Sequence, residues 1–169
     1  MTSVLPIIDG KWVRLRPLVQ ADLARRAVWT ADEELTRLMG ADPAEEPFVS
    51  MDDQLRRVRE WFDDRSLHAL ALIAVDVGGV YIGDIDVHVE PGRPVAEISG
   101  FLGDRSSWGQ GYGTEAMTLL LEWLRSVPAI TTAQVQVANH NVRSQRFVEK
   151  LGFRQTNQTM TGKVYNRPL

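Results

Sequence analysis

Ser107-Trp108-Gly109-Gln110-Gly111-Tyr112-Gly113-Thr114-Glu115-Ala116 is a stretch whose residue types can do chemistry without a reactive side chain. Its glycines alternate, and an amphipathic pattern follows at once, with Met117, Leu120, Leu121 and Leu124 at i, i+3, i+4 and i+7. A turn that opens a helix leaves backbone N–H groups without intrahelical partners. The helix dipole adds about half a positive charge at that end, and glycine removes the Cβ that would hold a bulky anion away. The spacing therefore predicts a cradle for a phosphate or pyrophosphate. The same glycines also fit a plain flexible turn. No Gly-Lys-Ser/Thr follows them, which argues against a nucleotide phosphotransferase.

Titratable side chains gather on the strands before that loop. Asp84, Asp86 and His88 alternate with Ile85, Val87 and Val89 and so share one strand face. Glu97 stands four residues before Phe101, on the same face of the next strand if no bulge intervenes. Asp84 and Asp86 are placed to attract a cationic amine; read blandly, they are a solvated polar face. His88 is a lone histidine, which is more often structural than catalytic.

The bulk numbers narrow the classes. The chain has 169 residues, 44% hydrophobic and 24% charged, enough for one domain with a sizeable core. A net charge of −3 argues against a general nucleic-acid binder. It leaves open a nucleotide-containing cofactor held by a nest of N–H groups. There is no cysteine, so disulfides, thiolate metal sites and a cysteine nucleophile are excluded. His68, His88 and His140 lack ligand spacing, so no metal site is expected. Met1 to Trp12 carries no signal-peptide pattern, and no apolar run reaches membrane-spanning length. A cytoplasmic protein without membrane contact is the expectation.

The elements that must position these residues follow from periodicity. Trp12 to Leu18 reads as a strand, and Ala21 to Met39 as two short helices broken near Thr30-Ala31-Asp32, with Thr30 or Asp32 as cap. Ala41 to Pro47 is a loop. Ser50 to Arg65 is a helix with Leu55, Val58, Trp61 and Phe62 inward, and Ser50 with Asp53 resembles a capping pair. Leu70 to Asp76, Tyr81 to Glu90 and Val95 to Gly103 are strands, the first two joined by a Gly78-Gly79 hairpin. Gly100 inside the third signals a bulge or a close backbone approach. The glycine loop and its helix come next and end near Ser126. Ala133 to Ala138 is a strand, Asn141 to Leu151 a helix stopped by Gly152, and a last hairpin turns around Thr161-Gly162. Strands interleaved with helices predict a mixed sheet covered on both faces. The helical crossover should make Val95–Gly103 and Ala133–Ala138 parallel.

The glycine loop, the strand before it, and Asn141-Val142-Arg143-Ser144-Gln145-Arg146-Phe147-Val148-Glu149-Lys150-Leu151-Gly152-Phe153 together resemble the GNAT superfamily of acetyl-CoA-dependent N-acetyltransferases. Leu15-Arg16-Pro17-Leu18 and the helix from Asp22 to Trp29 are similar to its RimJ/RimL-like branch. The resemblance implies an α/β (α+β) fold, a mostly antiparallel twisted sheet flanked by helices and splayed between two central strands, with acetyl-CoA in the splay. It implies that backbone N–H groups from Gln110 to Thr114, within the loop Trp108, Gly109, Gln110, Gly111, Tyr112, Gly113 and Thr114, hold the pyrophosphate. Phe101, Leu102 and Gly103 would bond the pantetheine arm as an added strand does. Asn141 and Ser144 match positions that contact that arm.

The implied reaction is direct attack of a primary amine on the thioester in a ternary complex. Glu97 is the first choice of base, acting through water; alternatively it is an exposed or ion-paired strand residue. A backbone N–H near Phe101 or Leu102 would serve the oxyanion. Many members carry a tyrosine before Glu-Lys-Leu-Gly-Phe as acid toward the leaving thiolate; here it is Val148. Ser144 is the nearest replacement, or an ordinary polar residue touching the cofactor. Trp29 and the Ala41–Pro47 loop fall where the fold lines the acceptor site. The acceptor is a protein N-terminus, a polyamine, an aminoglycoside or another small amine, and a homodimer is common in the family. The competing reading is a catalytically weak acyl-CoA-binding sensor, favoured by the missing tyrosine.

Overall fold

The computed structural model describes residues 5–45, 47–64 and 70–169. The elements are β1 (Ile8–Asp9), β2 (Val13–Pro17), α1 (Leu23–Thr30), α2 (Glu33–Leu38), α3 (Met51–Asp63), β3 (Ala71–Val77), β4 (Val80–His88), β5 (Val95–Leu102), α4 (Tyr112–Arg125), β6 (Thr132–Ala138), α5 (Val142–Lys150), β7 (Arg154–Gln158) and β8 (Gly162–Pro168). They form an eight-stranded sheet in the order β1-β2-β3-β4-β5-β6-β8-β7. Every neighbouring pair is antiparallel except β5–β6, which the α4 crossover makes parallel. This is the mixed, mostly antiparallel α/β fold that the motifs implied. Glu46 of the expected loop, Arg65 at the end of the expected helix, and His68 lie outside the described residues.

Local chemistry explains the boundaries. Asp32 stops α1 and starts α2: its Oδ1 accepts the Glu34 and Leu35 N–H groups at 3.0 and 3.1 Å. Ser50 does the same for α3 through Asp53 N–H at 3.1 Å. Gly78 and Gly79 both take positive φ in the β3–β4 turn. At Gly100 a Cβ would lie 2.5 Å from the Asp84 carbonyl, so the glycine there marks a close backbone approach.

Each face of the sheet carries a core. On one, Met117, Leu120, Leu121 and Leu124 of α4 and Val148 of α5 bury against Leu15, Ile73, Val75, Val87, Ile98, Val135 and Tyr165. Burial of each large apolar side chain is worth roughly 1.5–3 kcal/mol, so this face rather than intrinsic propensity holds α4 in place. On the other, Leu23, Ala27, Trp29, Leu35 and Val58 cover Ala74 and Tyr81, with Leu55, Trp61 and Phe62 packed beside them.

Charged side chains join the layers. Arg16 grips two buried carboxylates at once, Asp22 at 2.7 and 2.9 Å and Asp76 at 2.7 and 3.1 Å. The two-sided fork gives the arginine of Leu-Arg-Pro-Leu a structural reason, and it raises the Arg16 pKa above its ordinary value. Arg26 of α1 donates to Asp84 of β4 at 3.0 Å and stacks on Trp61 at 3.6 Å. Burial pushes the Asp84 carboxyl up, and Arg26 with the Tyr81 hydroxyl pulls it part of the way back. Burial, then the Asp84 charge, raises Tyr81 as well, so the phenol stays a donor.

Two features escaped the sequence. The short strand β1 pairs with β2 through Ile8↔Leu15 and Asp9↔Arg14. Glu115, legible only as an acid in the first turn of a helix, instead receives the N–H groups of Lys11, Trp12 and Val13 and so fixes the β1–β2 turn. A Cβ on Gly10 would strike its carboxylate at 2.6 Å.

Glu115→Ala removes one charged acceptor from these donors and is expected to cost about 1.5–3 kcal/mol, read as a Tm several degrees lower. Asp84→Asn strands a buried guanidinium and is expected to cost about 3 kcal/mol in urea unfolding, whereas the pair Arg26→Met with Asp84→Leu restores most of it. Equal losses in single and double variants would show that the ion pair is not the cause.

Candidate active site

The parallel pairing of β5 with β6 is short. It runs Val95↔Thr132, Ala96↔Ala133, Glu97↔Gln134 and Ile98↔Val135, and there it stops. Both strands continue, β5 along β4 to Leu102↔Gly83 and β6 along β8 to Ala138↔Gly162. From Ser99 onward the two strands part, and the exposure of Ser99 and Gly100 follows from this. Edges that part inside a sheet present unmatched backbone donors and acceptors, a template for an extended ligand arm.

A cleft of about 260 Å³ lies at the narrow end of this splay, lined by Asp86, His88, Glu97, Ser99, Gln134 and Gln136 with Ile98. The register explains the grouping. His88↔Glu97, Asp86↔Ser99 and Asp84↔Phe101 stand opposite one another, and Glu97↔Gln134 carries the row across to β6. No register shift separates Glu97 from Phe101, so the two share a face as expected. The Glu97 side chain is 42% exposed, with Arg93 Nη1 3.5 Å from its carboxylate. Ser99, Gln134 and Gln136 were missed in the sequence, because only the register brings them to the acids.

The glycine loop meets the wide end of the splay. Gly109 and Gly111 have φ of +76° and +86°, and nothing lies within 4 Å of a Cβ at either position. Gly111 is the N-cap of α4 and offers no side-chain bond; the first helical bond runs from Glu115 N–H to the Gly111 carbonyl at 3.1 Å. The N–H groups of Tyr112, Gly113 and Thr114 precede that bond, so α4 supplies them no acceptor. The cradle therefore suits a diphosphate in both space and donors. Trp108 braces the loop, its Nε1 donating to the Leu102 carbonyl at 2.7 Å while Arg143 lies over its ring at 4.7 Å. Tyr112 packs partly into the main core.

Other expected site residues are placed differently. Asp84 is 2% exposed and committed to Arg26 and Tyr81, so it is not an open substrate contact; Asp86 alone of the two lines the cleft. Trp29 is 9% exposed and packs on Tyr81 and edge-on to Phe101, so it is a buried wall behind the site rather than a surface toward an acceptor. The Gly103 N–H donates to the Ile82 carbonyl at 2.9 Å, and a Cβ there would overlap the Trp29 ring. Gly103 thus serves packing, and the strand edge left for a ligand arm shifts upstream to Ser99–Leu102. Asn141 has both polar ends engaged within the protein: Oδ1 accepts Ser144 N–H at 3.1 Å, and Nδ2 donates to the Leu38 carbonyl at 2.7 Å. Ser144 is half-buried in the first turn of α5, and Val148, where a tyrosine was sought, is 2% exposed in the core. Among the described residues no group of His, Cys, Asp and Glu is arranged to hold a metal ion, and no helix is long and apolar enough to cross a membrane.

Comparison with known proteins agrees with this fold. The chain is similar to an N-acetyltransferase 9-like protein of Caenorhabditis briggsae, 23% identical over 145 residues, covering 80% of this chain and 71% of that protein. Its fold matches AAC(6′)-Ib in complex with ribostamycin and coenzyme A, with a TM-score of 0.78, 22% identity and 94% of each chain covered. It also matches an acetyltransferase from Agrobacterium tumefaciens, with a TM-score of 0.75, 20% identity and 99% and 96% of the two chains covered. Residues 13–154, which contain the splay, the glycine loop and α5, match the acetyltransferase (GNAT) domain family, and the chain belongs to that family.

Proposed function

We propose that this chain moves the acetyl group of acetyl-CoA to a primary amine by direct transfer. The observation that carries the reading is the coincidence of a splayed β5–β6 pair with an uncapped, glycine-opened helix at its wide end. N–H groups between Gln110 and Thr114 hold the diphosphate, and the β5 edge at Ser99–Leu102 holds the arm. The acetyl group then reaches the face shared by Glu97, Ser99 and Phe101. Acidic groups beside it, Asp86 and Glu97, draw in a cationic amine. Coenzyme A is a bound partner in the fold's neighbours, which supports this donor.

The reaction asks three things of these residues. Glu97, directly or through a water, takes a proton from the ammonium, and the neutral nitrogen then attacks the thioester carbonyl. Backbone N–H groups on the parted β5 edge stabilise the oxyanion, each donor worth about 2.7–4 kcal/mol of barrier. The C–S bond then breaks, and the proton the attacking nitrogen still has to lose passes through the Ser144 hydroxyl, which donates to the departing thiolate as it accepts from that nitrogen, in place of the tyrosine replaced by Val148.

Within the family, the Leu15-Arg16-Pro17-Leu18 strand and the helix from Asp22 to Trp29 support a place in the RimJ/RimL-like branch. An acceptor of the aminoglycoside class is supported by relatives such as AAC(6′)-Ib bound to kanamycin; a polyamine or a protein N-terminus presents the same protonated amine to Asp86 and Glu97. A second reading, an acyl-CoA sensor without turnover, is favoured only by Val148.

Excess acetyl-CoA is expected to raise Tm by mass action. Gly111→Val should abolish that rise, since its Cβ enters the cradle and its φ of +86° disfavours a β-branched residue. A Val variant that keeps the full rise would displace the diphosphate from this loop. Coenzyme A release across an amine panel separates enzyme from sensor. For an amine that turns over, Glu97→Gln is expected to lower kcat about 10²-fold while leaving the acetyl-CoA-induced Tm rise unchanged. An unchanged kcat would remove Glu97 as base.

A further inference from the structure

Helices α1 to α3 cover only part of the sheet face that carries Glu97. Their core takes Leu72 and Ala74 of β3, Tyr81 of β4 and Phe101 of β5, and no residue of β6 or β8. What β6 and β8 show on that face is a row of carboxamides. Register places Glu97 beside Gln134 and Gln134 opposite Asn166, so the three side chains stand in one line across β5, β6 and β8. Ile98, Val135 and Tyr165, next along each strand or one before, turn into the core on the other face. Gln136 lies two residues along β6, on the Gln134 face, and lines the cleft with Gln134 and Glu97.

This row is held in one arrangement. Gln134 Nε2 donates to Asn166 Oδ1 at 2.9 Å, which leaves the Gln134 Oε1 and its second N–H for a ligand. Gln136 makes no hydrogen bond among the described residues, and its Nε2 lies against β8, 3.3 Å from where a Cβ on Gly162 would stand. A carboxamide offers both a donor and an acceptor, and so does an alcohol. One strand spacing, about 4.8 Å, separates Glu97 from Gln134. Among the described residues that line the cleft, Ile98 alone is apolar. A hydrocarbon chain laid along this row would cover the amides without pairing them, and a covered, unpaired polar group is costly. Hydroxyl groups at the same places pair with them, and a site built to bond a hydroxyl rejects the analogue that lacks it.

We infer that Gln134 and Gln136 determine acceptor specificity, and that the acceptor is a primary amine carrying hydroxyl groups along its chain or ring. This rests on the acetyl transfer proposed above. The amine nitrogen sits at Glu97, the nearest hydroxyls bond Gln134 one strand away, and Gln136 bonds the next. Asn166 is a positioning residue: it fixes the Gln134 carboxamide so that no rotamer freedom is lost when the hydroxyl arrives. The row thereby selects among amines that Asp86 and Glu97, acting through charge, accept alike.

Coenzyme A release from acetyl-CoA by the full chain tests this with glucamine and hexylamine, unbranched primary amines of equal chain length that differ in hydroxylation. Spermidine and triglycine stand for the polyamine and the peptide N-terminus. Wild type is expected to prefer glucamine over hexylamine about 100-fold in kcat/KM, the equivalent of two hydrogen bonds at about tenfold each. Gln134→Met and Gln136→Met keep side-chain length and lose the amide. Each should lower that preference about tenfold, through KM for glucamine, while the acetyl-CoA-induced Tm rise stays as in wild type and reports a folded variant with its donor site intact. An unchanged preference in either variant removes that residue from acceptor selection. A wild type that turns over hexylamine, spermidine or triglycine better than glucamine overturns the inference and leaves acetyl transfer standing. No release with any of these amines removes the acetyl-transfer reading and the specificity role with it.

Discussion

The end of hydrogen bonding between β5 and β6 at Ile98↔Val135 is the constraint on which the rest of the molecule depends. A sheet gains by pairing every strand it can, and unpaired backbone groups inside it are costly. Here both strands stay in the sheet by pairing with their outer neighbours, β4 and β8, so the gap between them is held open from both sides. The α4 crossover makes this pair parallel, and a parallel pair has no tight hairpin to keep its far ends together. Chain connectivity therefore lets the sheet part between β5 and β6.

Around that gap, the polar contacts join layers rather than decorate the surface. Arg16 joins β2, β3 and the turn before α1 through Asp76 and Asp22. Arg26 joins α1 to β4 through Asp84, and Glu115 joins α4 to the β1–β2 turn. Arg26 and Glu115 hold elements next to the splay, β4 and α4, and each contact occupies a carboxylate that would otherwise offer charge to a ligand. Asp84 shows the consequence: the strand alternation that brings Asp86 to the cleft brings Asp84 under Arg26, and two acids on one face differ through burial and through the partners that burial brings.

Much of the fold was legible because it rests on local patterns. The α4 face of Met117, Leu120, Leu121 and Leu124, the caps at Asp32 and Ser50, and the Gly78-Gly79 turn each follow from spacing within a few residues, and the structure reproduces them. The glycine turn that opens α4 was legible for the same reason, since Gly109 and Gly111 act through their own φ. The cleft was less so. Ser99, Gln134 and Gln136 join Glu97 only through strand register, and Gly103 proved to be glycine for the sake of the Trp29 ring.

The sequence alone determined the helix that presents free N–H groups, the glycines that let an anion approach, and the strand–helix–strand crossover that makes the splay possible, because backbone conformation and periodicity are encoded over short spans. Only the tertiary structure decided which acids reach the cleft, that Glu115 secures the amino-terminal turn, and that Asn141 spans two helices. Those outcomes depend on partners up to 104 residues away along the chain, as between Glu115 and Lys11, and no local pattern specifies a partner at that distance.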